Sequence, residues 1–162
     1  MTPKESHKEI ALHLKEHFDG EPNVSAYRDQ NGHNPVPIGT FGKKSNPFYS
    51  TIGAFEVIKD IPPGNFEFAA TGKLQWLPHA LASCIYWLKG RKCENWPLIC
   101  EDVIKSNAKS TYRHLGFVPS KYAFVLQTGE RIQWLLGVPI TDKEILISSE
   151  EIYARVKDTF PE

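Results

Sequence analysis

Trp134-Leu135-Leu136-Gly137-Val138-Pro139-Ile140-Thr141-Asp142-Lys143-Glu144 is the stretch whose reading decides the fold. Its first seven residues are nearly all apolar and run straight into a Thr-x-x-Glu pattern. In such a capping box the hydroxyl accepts a first-turn N–H while the glutamate reaches back to the amide of the capping residue. An apolar run this short predicts a strand in the middle of a sheet, over 132–140, that turns directly into a closing helix. Ile152, Tyr153 and Val156 form the face of that helix's last part. Trp134, Leu136 and Val138 share one face of the strand and fill the core, while Gly137 and Pro139 suit a tight exit toward the helix.

Working outward, 123–127, 115–118 and 98–104 read as further strands. Leu81, Cys84, Ile85 and Leu88 return at helical spacing over 77–88, with Pro78 in the first turn and Gly90 at the end, which predicts a second, buried helix. Between Asn23 and Gly72, β-branched and aromatic runs separated by turn residues predict strands near 24–29, 35–41, 48–56 and 65–72. In the last of these Phe66, Phe68 and Ala70 alternate with Glu67, Ala69 and Thr71, the period of a strand with one buried face. The sheet is therefore expected to be antiparallel and covered on one side. At the N-terminus, Thr2-Pro3-Lys4-Glu5 and Ser6-His7-Lys8-Glu9 both fit the capping box. Ile10, Ala11, Leu14 and Phe18 then line one helical face, and Gly20 supplies the stop. Helix, strands, helix, strands, helix is an α+β order: a mostly antiparallel sheet packed with an N-terminal, a middle and C-terminal helices.

With 162 residues, 41% of them apolar, the chain holds one sizeable core, so a single domain over 1–162 is expected. Nineteen Lys plus Arg balance nineteen Asp plus Glu, which leaves no overall field for nucleic acid or an anionic membrane. Met1 to Lys15 reads as polar helix without the apolar segment of a secretory signal, and no stretch approaches a membrane span, so a cytoplasmic protein is expected. Cys84, Cys93 and Cys100 are odd in number and lack CxxC spacing, which predicts free thiols without a disulfide framework or zinc clip.

Five segments together carry a resemblance: the opening helix closing in Phe18-Asp19-Gly20; Tyr49-Ser50-Thr51-Ile52-Gly53; the Leu77-Pro78 entry to the middle helix; His114-Leu115-Gly116-Phe117-Val118-Pro119; and the Trp134 to Glu144 stretch. In this order the chain resembles the bacterial branch of the suppressor-of-fused domain family, which includes immunity proteins and antitoxins paired with toxins. The Tyr-Ser-Thr-Ile-Gly and Trp-Leu-Leu-Gly-Val-Pro-Ile segments are the most specific of the five. The resemblance implies a protein that neutralises a cognate toxin by occlusion, without catalysis, cofactor or metal. A suppressor-of-fused-like regulatory scaffold is the alternative within the binding class. Toxin nucleases are often basic and their inhibitors acidic, whereas this chain is neutral; Glu150-Glu151 with Asp158 and Glu162 is a local acidic patch able to steer a partner.

The candidate chemistry is sparse. A small hydrolase would need a nucleophile from Ser50 or Cys84 with His79 or His114. Yet His79 and Cys84 stand at i, i+5 on different helix faces, and Ser50 lacks the Gly-x-Ser-x-Gly elbow. His13 and His17 form an i, i+4 pair with no third ligand and are expected to be solvated. His33 in the turn-like Asn31-Gly32-His33-Asn34 and His114 just before a strand are expected to satisfy backbone groups. Gly39-Thr40-Phe41-Gly42-Lys43 lacks phosphate-loop spacing. Lys89-Gly90-Arg91-Lys92 complements the negative end of the middle helix. For the partner interface, Trp76 and Trp96 stand in loop contexts beside prolines and are the first candidates, followed by Tyr122 and Tyr153.

Overall fold

Both faces of one sheet are apolar in this chain, and the helices are distributed to cover them. The computed structural model describes residues 4–18, 22–28, 35–58, 64–93, 95–104 and 111–157. Seven strands are present among them: β1 (Asn23–Tyr27), β2 (Val36–Phe41), β3 (Phe48–Thr51), β4 (Asn65–Thr71), β5 (Leu98–Cys100), β6 (Tyr112–Val125) and β7 (Arg131–Thr141). They lie side by side in the order β1-β2-β3-β4-β7-β6-β5. All neighbours are antiparallel except β4 and β7, which run parallel from Asn65↔Ile132 to Ala69↔Leu136. The helices are α1 (Glu5–His17), α2 (Ala54–Val57), α3 (Leu77–Leu88) and α4 (Ser149–Val156). The class is α+β, and no helix among the described residues is long and apolar enough to cross a membrane.

The expectation of a sheet covered on one side is corrected here. α3 lays Leu77, Leu81, Cys84, Ile85 and Leu88 over Phe66, Phe68, Leu115, Phe117 and Leu135 on one face. On the other, Ile10 and Leu14 of α1 and Ile152 and Val156 of α4 close over Phe41, Phe48, Trp134, Leu136 and Ile140. Parallel strands need a crossover, and the chain between β4 and β7 supplies it through α3, β5 and β6. A central strand pair with helices on both sides reads as a near-continuous apolar run, the pattern of 66–70 and 134–140.

Several predicted boundaries move for local reasons. The strand expected over 48–56 ends at Thr51, because Gly53 takes φ +97° and starts α2. Strand pairing over 98–104 stops at Cys100, before Asp102 at φ +55°. The segments 115–118 and 123–127 belong to one strand, β6, whose pairing with β7 slips between Pro119 and Ala123. α1 follows Lys4, which supplies no side-chain cap, and Ser6 donates its hydroxyl to Glu56 instead of capping. The Thr141–Glu144 capping box does form, but it opens only a 3-10 turn, Asp142–Glu144; α4 starts separately, with Ser148 accepting from the amide of Glu151. Thr2, Gly20, the Gln30-Asn31-Gly32 turn and Pro62-Pro63 lie outside the described residues.

β7 is central as expected, but Gly137 and Pro139 sit inside it and form no exit. Gly137 faces Phe117 of β6, and a Cβ there would stand 2.5 Å from the buried Phe117 ring. Its role is to admit that ring. Gly137→Ala is therefore expected to destabilise by about 1–3 kcal/mol, the usual range for overpacking a filled core. The measurement is the urea midpoint with an unchanged slope; Gly64→Ala, where the new methyl meets nothing within 4 Å, is the control that should not move.

Candidate functional site

A single carboxyl group is where β3, α2 and β4 meet. Thr51 ends β3, Gly53 turns the chain, and the first amides of α2 point at the neighbouring β4, where Glu67 is fully buried. Ala54 N–H donates to Glu67 Oε1 at 3.0 Å, Phe55 N–H to Oε2 at 3.2 Å, and the Thr51 hydroxyl to Oε1 at 2.7 Å. Thr51 Oγ1 accepts in turn from the amide of Phe68 at 2.8 Å. One residue earlier, Ser50 accepts from the indole N–H of Trp134 at 2.9 Å and donates to the Thr51 carbonyl at 2.9 Å. Burial pushes Glu67 up to about 8, against the opposing pull of its hydroxyl and amide donors. Burial thus favours the neutral acid, while the hydroxyl and amide donors favour the carboxylate.

The start of α1 clamps the outside of the same turn. Glu56 of α2 pairs with Lys4, accepts from Ser6 Oγ at 2.9 Å and faces His7 Nε2 at 3.2 Å. Burial would raise the Glu56 carboxyl, but the Lys4 and Ser6 hydrogen bonds and the His7 charge outweigh it and hold it low. The His7 ring fills the space where a side chain on Gly53 would stand. Beside this clamp lies an open depression of about 400 Å³ lined by Lys4, Ser6, Glu56, Asn65, Thr128 and Glu130.

The groups singled out for chemistry have structural partners. Ser50 spends its hydroxyl on Trp134 and Thr51. Cys84 is buried on the inner face of α3, and burial pushes its thiol well up, away from the reactive thiolate. His114 lies within β6 and is nearly buried; its Nδ1 accepts from the Asp102 amide at 2.9 Å and its Nε2 meets Asp142 Oδ1 at 2.7 Å. Both nitrogens thus tie the segment after β5 to the 3-10 turn. His79 is exposed, edge-on to Tyr27 with ring centres 4.9 Å apart. His13 departs from the expectation of a solvated pair: it stacks on Phe124 at 4.2 Å, and burial together with His17 holds its pKa below the usual imidazole value. His17 bonds the His13 carbonyl through Nδ1 at 3.0 Å. Among the described residues no group of three His, Cys, Asp or Glu is arranged to hold a metal. His33 lies outside them.

The predicted interface residues divide into two kinds. Trp76 and Trp96 are half-buried against the core beneath α3, Trp76 near Tyr112 at 6.4 Å and Trp96 edge-on to Phe66 at 5.9 Å. Tyr122 is half-buried against Trp134 at 4.9 Å and His17 at 5.2 Å, and burial raises its pKa. Only Tyr153 stands well out, 51% exposed on α4. Leu146, in the turn before α4, is 94% exposed, a feature that periodicity does not single out. Glu150 and Glu151 are exposed between the two, while Asp158 and Glu162 lie outside the described residues. In the basic cluster, Arg91 donates to the Trp87 carbonyl at 2.7 Å and lies over the Trp87 ring at 4.1 Å, a fixed helix end.

The buried acid makes a pH prediction. The folded chain holds the Glu67 proton up to about 8, whereas the unfolded chain releases it near 4.5. Stability from this group is therefore complete below about 4.5 and is lost as pH rises toward 8. Glu67→Gln removes that slope. In urea titrations the variant's midpoint is expected to gain on the wild type steadily from pH 5 to pH 8; parallel curves over that range would refute a raised Glu67.

Comparison of the chain with protein-family models, with curated proteins and with solved structures finds no match to any of them.

Proposed function

We propose that this chain acts by binding another protein, as an immunity protein or antitoxin of the suppressor-of-fused-like kind that covers a cognate toxin. The contrast between interior and surface carries this reading. Ser50, Cys84 and His114 are committed to internal bonds or packing, while Leu146 and Tyr153 are presented to solvent on one short segment. A large aliphatic and an aromatic ring, with Glu150 and Glu151 between them, supply an anchor and an acidic rim. Exposed anchors of this kind suit an interface of about 1,600 Å² in total, and the acids suit a partner carrying a basic patch. Occlusion asks nothing more of the chain than that surface held rigidly. The rigid support is present: Ile152 and Val156 pin α4 to the sheet, and Arg155 pairs with Glu144 of the capped turn.

Co-expression with the product of the adjacent gene tests the reading. The wild type is expected to restore growth and to co-purify with that product. Leu146→Ala combined with Tyr153→Ala should weaken the complex at least tenfold while leaving the unfolding free energy from urea titration within about 0.5 kcal/mol, as for exposed positions generally. Full rescue and undiminished co-purification by that double variant would remove α4 as the binding surface. Glu150→Lys with Glu151→Lys should slow association and flatten its salt dependence.

A further inference from the structure

The two edges of the sheet are treated very differently. At one end β5 is three residues long, is followed at once by the exposed Glu101 and Asp102, and is broken by the positive φ of Asp102. Shortness, charge and an irregular backbone are the usual ways in which an edge is kept from pairing with another chain. At the other end β1, Asn-Val-Ser-Ala-Tyr, is longer and regular, and the nearest proline and charge, Pro22 and Arg28, stand just outside it. It pairs with β2 in unbroken register from Asn23↔Thr40 to Tyr27↔Val36, carries no charge and no proline, and leaves Asn23 to Ala26 exposed, Val24 by 50%.

From this asymmetry we infer that β1 is the seam of a homodimer, in which the outer edges of two copies pair antiparallel about a twofold axis through Ser25. The sequence of β1 suits its own reverse. With Ser25 opposite Ser25 of the second copy, Val24 meets Ala26 and Asn23 meets Tyr27, so apolar residues face apolar ones and polar faces polar. Continuing the register, Arg28 falls opposite Pro22, and the two Arg28 side chains stand at opposite ends of the ladder. No like charges oppose one another between Pro22 and Arg28. A twofold seam of this kind is isologous, the commonest form of oligomer, and it joins two seven-stranded sheets into one. Val24 and Ala26 extend the face that α1 covers, and Tyr27, whose carbonyl accepts from Tyr86 of α3 at 3.0 Å, fixes the far end of the strand.

A five-residue ladder alone buries less than the roughly 1,200 Å² of a tight interface, so the dimer should exchange in the micromolar range, about 1–100 µM. The seam lies on a different element from α4, and the test uses this chain alone, so its outcome is independent of toxin binding. Sedimentation velocity of the full chain from 2 to 200 µM is expected to show concentration-dependent dimer. Ser25→Lys places two ammonium groups face to face across the axis and should shift the midpoint of dimerisation at least tenfold upward, with circular dichroism unchanged. Ser25→Cys keeps the strand uncharged and should give a dimer cross-linked in air through the two introduced thiols, lost on reduction, because directly opposed strand positions meet the distance a disulfide requires. A wild type that stays monomeric at 200 µM together with a Ser25→Cys chain that does not cross-link overturns the inference. A dimer indifferent to both substitutions overturns it as well, by placing the contact on another surface.

Discussion

The structure depends on a carboxyl group that has no water to sit in. Glu67 lies in the parallel strand pair, where both faces of the sheet are covered, and an unsatisfied polar group there would cost several kcal/mol. Its satisfaction dictates the local chain path: β3 must end at Thr51, the backbone must turn through a left-handed Gly53, and α2 must begin where its free amides reach the carboxyl oxygens. A helix of only four residues has little stability of its own. It persists because its first amides have an acceptor below and its Glu56 has Lys4, Ser6 and His7 above. The opening helix is thereby attached to the sheet through polar contacts at its start, as well as through Ile10 and Leu14 along its length.

The same polar thread joins segments far apart in sequence. Trp134 and Ser50 are 84 residues apart and share one hydrogen bond inside the core. They belong to the Tyr49–Gly53 and Trp134–Glu144 segments, and the contact ties those two segments together inside one sheet. An indole buried without an acceptor for its N–H would be costly, and a serine in a covered strand without a donor equally so. Each residue supplies what the other lacks.

What was legible in the sequence follows from how far each signal reaches. Helical spacing located α3 to the residue and α1 to within a few residues at each end, since the period of an amphipathic face is a property of the segment itself. The centrality of β7 was legible from its unbroken apolar run. The second covered face was not, because the alternation of Phe66, Phe68 and Ala70 with Glu67, Ala69 and Thr71 suggests a solvent side, whereas 66–70 are all buried. No local pattern says that a glutamate in a strand will find two helix amides and a threonine. The same limit explains His13: its spacing from His17 was visible, but the Phe124 ring on which it lies comes from the far end of the chain. Of the surface candidates, Tyr153 belongs by spacing to the last helical face, yet only Ile152 and Val156 of that trio turn inward. Leu146 was invisible to periodicity because it stands in a turn.

The division between interior and surface bears on how such a chain changes over time. Its polar residues inside the sheet are tied to one another in a closed set, so altering one leaves another without its partner, and substitution there is costly. The α4 segment and the β1 edge are built differently: Leu146, Tyr153 and Val24 are exposed, with few internal contacts to lose. Exchanging side chains at those places alters what the molecule can touch and leaves its core intact. Under the proposed binding role, this arrangement supplies a fixed frame whose contact residues are free to vary with the partner.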